Sequence, residues 1–346
     1  MTVRLPAEWE PQDGVLLAWP HKSTDWAPVL AEVEPVFLRL TEVISHYEQV
    51  VISTVNASAL STKLQAAGID MAQVTLAQVP FDDTWCRDFG PITTLVDGSP
   101  RLQDFVFNGW GNKFDAMQDN AVNGLLDQHG IYAAPLTIQN LILEGGSIES
   151  DGKDTLLTTS QCLLNTNRNP DLDKIQIEAE LRRLLGCERV LWLEHGHLLG
   201  DDTDAHVDTL ARFAPNDTIL YVACDDPADE HYPALRRMEK ELATFRTASG
   251  EPYRLLPLPW PGAKFDAEGQ RLPATYANFL IINGAVLVPT YNDPQDDKAL
   301  ATVAEAFPGM DVIGINCSTV ILQHGSLHCL TMQLPQGVLP CPANRP

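Results

Sequence analysis

Near its C-terminal end the chain reads QHGSLHCLTMQLP, residues 323–335, with Cys329 preceded by small and flexible residues and then a histidine. A thiolate is a strong nucleophile, but a free cysteine titrates near about 8.5 and needs help to ionise at neutral pH. GDDTDAHVDTLARF, residues 200–213, offers a partner. His206 and Asp208 are two residues apart, so on a strand both would face one side. Imidazole titrates near neutrality and suits proton transfer. A further carboxylate, Asp88, stands in DDTWCRDFGP between Arg87 and a Gly-Pro turn, and Glu144 precedes two glycines in LEGGSIESDG. Glycines there permit close backbone approach. Taken singly, each group has a plainer reading: a surface ion pair, a hydrogen-bonded core histidine, a bulge. EHGH at 194–197 with His206 raises a metal site, but no set of three or four ligands follows, so no metal is expected.

The elements that must carry these groups alternate between two periods. VLAEVEPVFLRLTEVISHYEQ, DKIQIEAELRRLLG, YPALRRMEKELATFR and DDKALATVAEAFPG have helical spacing, the first with Pro35 inside it. GVLLAWP, QVVISTV, QVTLAQVP, RVLWLE, TILYVA, YRLLPLP, FLIINGAVLVPTY and STVILQ read as strands. The class is therefore α/β. Five hairpin-like units recur, each with a polar or small first arm, a turn such as DGSP, DGKD, APND, NG or PQG, and an apolar second arm. One polar residue from each first arm gives Asp88, Glu144, Asp208, Asn278 and Cys329, spaced 56, 64, 70 and 51 residues apart. Recurrence of one supersecondary unit favours a closed circular array, each first arm delivering its polar residue to a common axis. An ordinary doubly wound sheet stays open on this pattern alone.

The bulk numbers narrow the function. At 346 residues the chain is long for one core and suits two domains or a repeated closed architecture. A formal net charge of −23 argues against nucleic-acid binding, which needs a basic footprint. It suits a small cationic substrate, or solubility alone. There is no run of eighteen apolar residues and no apolar leader in MTVRLPAEWEPQDG, so a cytoplasmic protein without a membrane span is expected. Seven cysteines, at 86, 162, 187, 224, 317, 329 and 341, include no C-x-x-C pair, and most are expected to be small buried hydrophobes. A G-x-G-x-x-G or P-loop signature for nucleotide binding is absent. Nothing singles out an interface, though small apolar stretches are compatible with a homodimer.

Blocks in order along nearly the whole chain resemble the agmatine deiminase family of the guanidine-modifying superfamily, which includes bacterial peptidylarginine deiminases, arginine deiminases and amidinotransferases. They are EWEPQDGVLLAWPH, TWCRDFGP, FNGWGNKF, EGGSIESDG, DDTDAHVDTLARF and HGSLHCLTMQ. The resemblance implies a single domain over 1–346, a five-bladed pentein propeller with pseudo-fivefold symmetry and a central active site. It implies Cys329 as nucleophile, His206 as general acid/base, Asp88 and Asp208 as the carboxylates that grip a guanidinium, and Glu144 as an acidic neighbour. Trp85 or Trp110 would stack on the cation or its alkyl chain. Asn278 and Arg87 complete the expected substrate contacts. The implied reaction takes agmatine to N-carbamoylputrescine and ammonia through a thiouronium on the cysteine, without a cofactor. Arginine, a methylated arginine or a peptide arginine is the alternative substrate, and a non-catalytic propeller scaffold the alternative role. Nearby carboxylates would raise the thiol pKa, and the bound guanidinium would bring it down again.

Three departures from the family pattern fall close to these groups. HGSLHC stands where GGGIHC is usual, so His324 replaces a glycine. WCRDFGP, with Cys86 and Phe89, stands for WMRDSGP. Ala205 and Thr209 replace the glycine and asparagine of TDGHVDN. The presumed reacting groups all remain.

Overall fold

The computed structural model describes residues 2–340, and five sheets in it share one topology. In each, a short strand pairs antiparallel with a longer one, which pairs parallel with a third. The first sheet runs Ile92–Val96, Ser99–Val106 and Leu136–Ile142, with Val3–Arg4 added at its edge. The second is Ile148–Ser150, Thr155–Thr159 and Arg189–Leu193. Ala211–Ala214, Thr218–Val222 and Arg254–Leu258 form the third. Leu280–Ile282, Ala285–Thr290 and Asp311–Asn316 form the fourth. In the fifth the C-terminal strand Met332–Pro335 pairs with Gln12–Ala18, which continues to Gln49–Thr54 and Val74–Gln78. The last sheet thus ties the two ends of the chain together. A two-stranded hairpin, Lys264–Phe265 with Arg271–Leu272, lies outside the repeat.

Parallel neighbours cannot be joined by a tight turn, and here a helix makes each crossover. Leu30–Ser45, Val122–Gln128, Lys174–Leu185, Tyr232–Leu242 and Asp296–Ala306 serve the five sheets, and Ala57–Ala66 makes the second crossover of the fifth. Leu30–Ser45 runs through Pro35 and buries Val33, Phe37, Leu40 and Ile44, one stripe at helical spacing. Lys174–Leu185 is fixed at both ends, by an Asp173–Gln176 capping box and by left-handed Gly186. Central strands such as Val15–Ala18 and Ile219–Val222 are buried throughout, as strands covered on both faces must be. The hairpin turns follow their sequence: Asp97-Gly98 and Asn216-Asp217 all have positive φ. Among the described residues no helix is long and apolar enough to cross a membrane. The six described cysteines are free and buried, and Cys341 lies outside the described residues.

The structure corrects the placement of the first-arm residues. Cys329 is not in a strand but in a 3-10 turn, His328–Leu330, just before one. Asp208 sits in the 3-10 turn Val207–Thr209 with His206 at its entrance, so the two do not share a strand face. Asp88 belongs to the helical turn Cys86–Phe89, and Glu144 immediately precedes the turn Gly145–Ser147. STVILQ is not a strand either; Val320–Gln323 form a 3-10 turn. The physical reason is common to the set. These short strands are largely buried, and a charged side chain on one would be pressed into apolar neighbours without partners. A single turn ahead of the strand sets the polar group beyond the sheet while the strand stays apolar.

Candidate active site

Four turns from four sheets meet around Gly146. A β-carbon built on Gly146 would lie 2.7 Å from His206 Nδ1, 2.9 Å from Asp88 Oδ1 and 3.0 Å from Asp208 Oδ2. Only glycine lets three such groups close on one backbone position. Cys329 Sγ is 3.9 Å from Asp208 Oδ2, so the nucleophile candidate borders the same point. Above it opens a cleft of 1080 Å³, lined by Trp85, Asp88, Trp110, Thr209, His324 and Cys329 among others. Gly325 sits against the Trp85 ring, which leaves no room there for a side chain.

Each carboxylate is held differently. Asp88 Oδ1 accepts the Gly146 N–H at 3.0 Å and Oδ2 accepts the Trp110 indole N–H at 2.9 Å. Burial pushes its carboxyl up to about 6; His206 opposes that, while Asp208 and Glu144 add to it. Asp208 is fully buried, which works against its charge, but the His328 hydrogen bond and nearby cations bring it below the usual carboxylate range. Its Oδ2 contacts His328 Nδ1 at 2.8 Å, and Oδ1 has no hydrogen-bond partner among the described residues. His206 lies 3.6 Å from Asp88 Oδ1, and both its ring nitrogens are likewise without a hydrogen bond. Burial drives the Cys329 thiol well above its ordinary value, with Asp208 and Asp88 adding to the effect.

The remaining expected residues divide. Trp110 lines the cleft and also orients Asp88, in a left-handed backbone conformation (φ 54°) braced edge-on by Phe107 and Phe114. Asn278 stays out of the cleft and is fully buried. It accepts the Cys329 N–H through Oδ1 at 3.2 Å, and its carbonyl accepts the His328 N–H, so it shapes the nucleophile turn. Arg87 turns away behind the site, toward Gln333, the His328 carbonyl and Glu8; the Asp88 side chain next to it takes the cleft side. Glu144 is held by Arg168, whose Nε reaches both carboxylate oxygens at 2.9 and 3.0 Å, so it faces no substrate. Glu144, Cys162 and His206 form the one close trio of metal-type ligands among the described residues, and the Arg168 cation already occupies the carboxylate.

Several residues here escaped the sequence reading. Arg168 also binds Asp204 and the Thr203 carbonyl, fixing the loop that leads into His206. Glu8, Arg212 and Glu149 form a buried ionic array behind the site. The available signal was a charge inside an apolar strand, Arg212 in TLARFA. Two of the residues that stand in family glycine positions, Ala205 and His324, have positive φ, at 64° and 66°. At both positions a side chain sits on a left-handed backbone.

A sequence profile of the Porphyromonas-type peptidyl-arginine deiminase family matches residues 4–335. The agmatine deiminase of Stutzerimonas stutzeri is 34% identical over 355 residues, covering 96% of this chain and 95% of that one. A crystal structure from Porphyromonas gingivalis, provisionally described as an arginine deiminase, shares 46% identity with a TM-score of 0.92, covering 98% and 100% of the two chains. The agmatine deiminase of C. jejuni with substrate bound shares 38% identity, a TM-score of 0.90 and 97% coverage of each chain.

Proposed function

Because the chain belongs to the Porphyromonas-type peptidyl-arginine deiminase family, we propose that it hydrolyses a guanidinium substrate, agmatine, to N-carbamoylputrescine and ammonia. The observation that carries this reading is the convergence of Cys329, His206, Asp88 and Asp208 around Gly146, with Asp88 and Cys329 lining the cleft above it. The five sheets of repeated topology are read as blades of one propeller domain around that point.

A guanidinium is flat, cationic and a poor electrophile because its charge is delocalised. Two carboxylates that accept its N–H groups fix its plane and expose the central carbon. Asp88 has one partner on each oxygen and Asp208 keeps Oδ1 unengaged, so both retain lone pairs for this task. His206 takes the thiol proton, the sulfur of Cys329 adds to the carbon, a C–S bond forms, and His206 delivers that proton to the departing amine. Ammonia leaves a thiouronium. His206 then takes a proton from water, the hydroxyl adds to the same carbon, the C–S bond breaks, and the ureido product departs. Burial, and after it the charges of Asp208 and Asp88, hold the thiol protonated, and the incoming cation offsets those charges.

Charge selects among substrates. Eight aspartates line the cleft, and the one lysine there, Lys113, is tied to the Asp202 carbonyl at 2.6 Å and to Asp204 at 2.9 Å. A free amino acid's carboxylate would meet repulsion and no available cation. Agmatine carries a second cation instead. The match to the Porphyromonas-type peptidyl-arginine deiminase family keeps one rival, a blocked arginine within a peptide.

Mass spectrometry of protein quenched during agmatine turnover tests the reading. The expected result is a thiouronium adduct on Cys329 and ammonia release that vanishes in Cys329→Ser. Ammonia from a blocked arginine peptide but not from agmatine would transfer the assignment to the rival. No ammonia from agmatine, arginine or the peptide would overturn deimination.

A further inference from the structure

His328 lies directly before Cys329 in the chain, fully buried, and its ring bridges two carboxylates. Nδ1 is 2.8 Å from Asp208 Oδ2 and Nε2 is 2.8 Å from Glu8 Oε2. A ring nitrogen must carry a proton to make such a contact with a carboxylate, and a neutral imidazole has only one. Three more groups set the charge around it. Arg212 donates to Glu8 Oε2 at 2.8 Å and, through Nε, to Glu149; Arg87 Nη2 stands 3.9 Å from Glu8. The Ile281 N–H binds the other Glu8 oxygen at 2.7 Å. Burial pushes the Glu149 carboxyl up to about 7, so the charge count of the array turns on Glu149 and the state of the ring is read from its two contacts.

We infer that His328 is a permanent imidazolium that acts as a positioning residue, pinning Asp208 by Oδ2 so that Oδ1 stays ionised and aimed at the substrate cation. Glu8 holds the far side of the ring and so extends the site to the N-terminal segment. Two influences oppose each other at the ring. Burial, then the charges of Arg212 and Arg87, draw the ring below its ordinary value, against the pull of Glu8 and Asp208. The geometry decides in favour of retention. Burial opposes the charge of both carboxylates, but Glu8 also has Arg212 and Arg87 beside it and Asp208 has Arg212, so neither depends on the ring alone to stay ionised. The Cys329 backbone gains from the same bond, since moving the ring would move the turn that carries the sulfur. This role rests on the deiminase reading for its consequence, though not for its geometry.

The first measurement uses no substrate. Histidine ring ¹⁵N spectra of the intact protein, assigned with His328→Gln, should show one imidazole with both nitrogens protonated at pH about 8, well above the usual titration near 6.5. In Glu8→Gln that same ring should lose a proton within the accessible range. A His328 ring with one bare nitrogen at pH about 7 would overturn the inference, whatever the enzyme does with agmatine. The second measurement separates positioning from mere support. In His328→Gln the KM for agmatine should rise by about tenfold or more while kcat falls about threefold or less, as expected for loss of one charge-assisted hydrogen bond behind a binding carboxylate. The acid limb of kcat/KM should also move to higher pH as Asp208 loses its donor. A KM and an acid limb both unchanged in a folded His328→Gln protein would also overturn it.

Discussion

Two buried ionic clusters touch back to back in this molecule, and they are built to opposite rules. In the rear cluster of Glu8, Arg212 and Glu149, every carboxylate oxygen has a donor: Glu8 takes Arg212, His328 and the Ile281 N–H, and Glu149 takes Arg212 and the Phe213 N–H. In the front cluster, both nitrogens of His206 and one oxygen of Asp208 have no hydrogen bond although they are buried. Unsatisfied polar groups in a protein interior cost about 1–3 kcal/mol each. The contrast assigns different work to the two. The rear cluster holds turns in place, and the front cluster keeps capacity open for a substrate that arrives with its own N–H groups.

Removing the sulfur tests the front cluster most severely. Cys329→Ser should lower kcat for agmatine by about 10⁴-fold or more while the protein still binds the substrate. Steady-state ammonia release and calorimetric binding measure the two halves. Arg212→Met tests the rear cluster, and its effect should appear in stability. Taking one cation from a paired buried array costs about 3–5 kcal/mol, because Glu8 and Glu149 are left without it. Urea unfolding should register that loss. A stability change below about 1 kcal/mol would erase the distinction between the clusters.

Asp88→Asn should do the reverse of Arg212→Met. It removes a guanidinium acceptor, so kcat/KM should fall by about 10²-fold, the value of a charge-assisted contact. Stability should hold or rise, since a buried carboxyl with its pKa pushed up to about 6 is an unfavourable charge at neutral pH. The sign follows from proton counts. Between about 4 and about 6 the folded protein keeps a proton on Asp88 that the unfolded chain has released. This group's contribution therefore declines as pH rises through that window, by on the order of 3 kcal/mol, and then stays constant. Activity runs the other way: kcat/KM should climb as Asp88 ionises through about pH 6. The Asn variant should show a flatter stability profile across the same window.

How far the sequence foretold this division depends on the type of signal. The hairpin turns were legible because Asp97-Gly98 and Asn216-Asp217 carry the local chemistry that positive φ requires. The crossover helix Lys174–Leu185 was legible because its apolar period and its caps agree. Cys329, His206, Asp88 and Asp208 could be singled out by residue type and by family likeness. Their one-turn settings could not, because a 3-10 turn of three residues has no period to detect. Arg87 shows the limit most clearly. In DDTWCRDFGP it looks as ready for a substrate as its neighbour, yet consecutive residues of a helical turn point in different directions, and Glu8 and Gln333, which claim it, lie far away in sequence. The rear cluster exists only through such distant pairings, Glu8 with Arg212 above all.

The smallest predicted effects concern two left-handed residues near the front, Ala205 and His324, and they sharpen the contrast by separating backbone strain from side-chain function. A left-handed conformation costs a residue with a β-carbon about 1–2 kcal/mol, and glycine escapes that cost but has more freedom to lose on folding. In Ala205→Gly the relief is set against a buried methyl and that extra freedom, so stability should change by no more than about 0.5 kcal/mol. Its backbone bonds, from Ala205 N–H to Asp201 and from Thr159 Oγ1 to the Ala205 carbonyl, do not depend on the side chain. In His324→Gly the relief is offset by loss of the 2.8 Å contact between Nδ1 and the Gly200 carbonyl, about 1 kcal/mol, and stability should again stay level. The kinetics should tell them apart. Ala205 is fully buried, so agmatine KM should be unchanged in Ala205→Gly within about twofold. His324 lines the cleft and ties the nucleophile loop to the loop around Gly200, so His324→Gly should shift KM about threefold to tenfold at unchanged stability. Equal KM values for the two variants would mean that the wall of the cleft does not discriminate, and that the front cluster recognises its cation by the buried carboxylates alone.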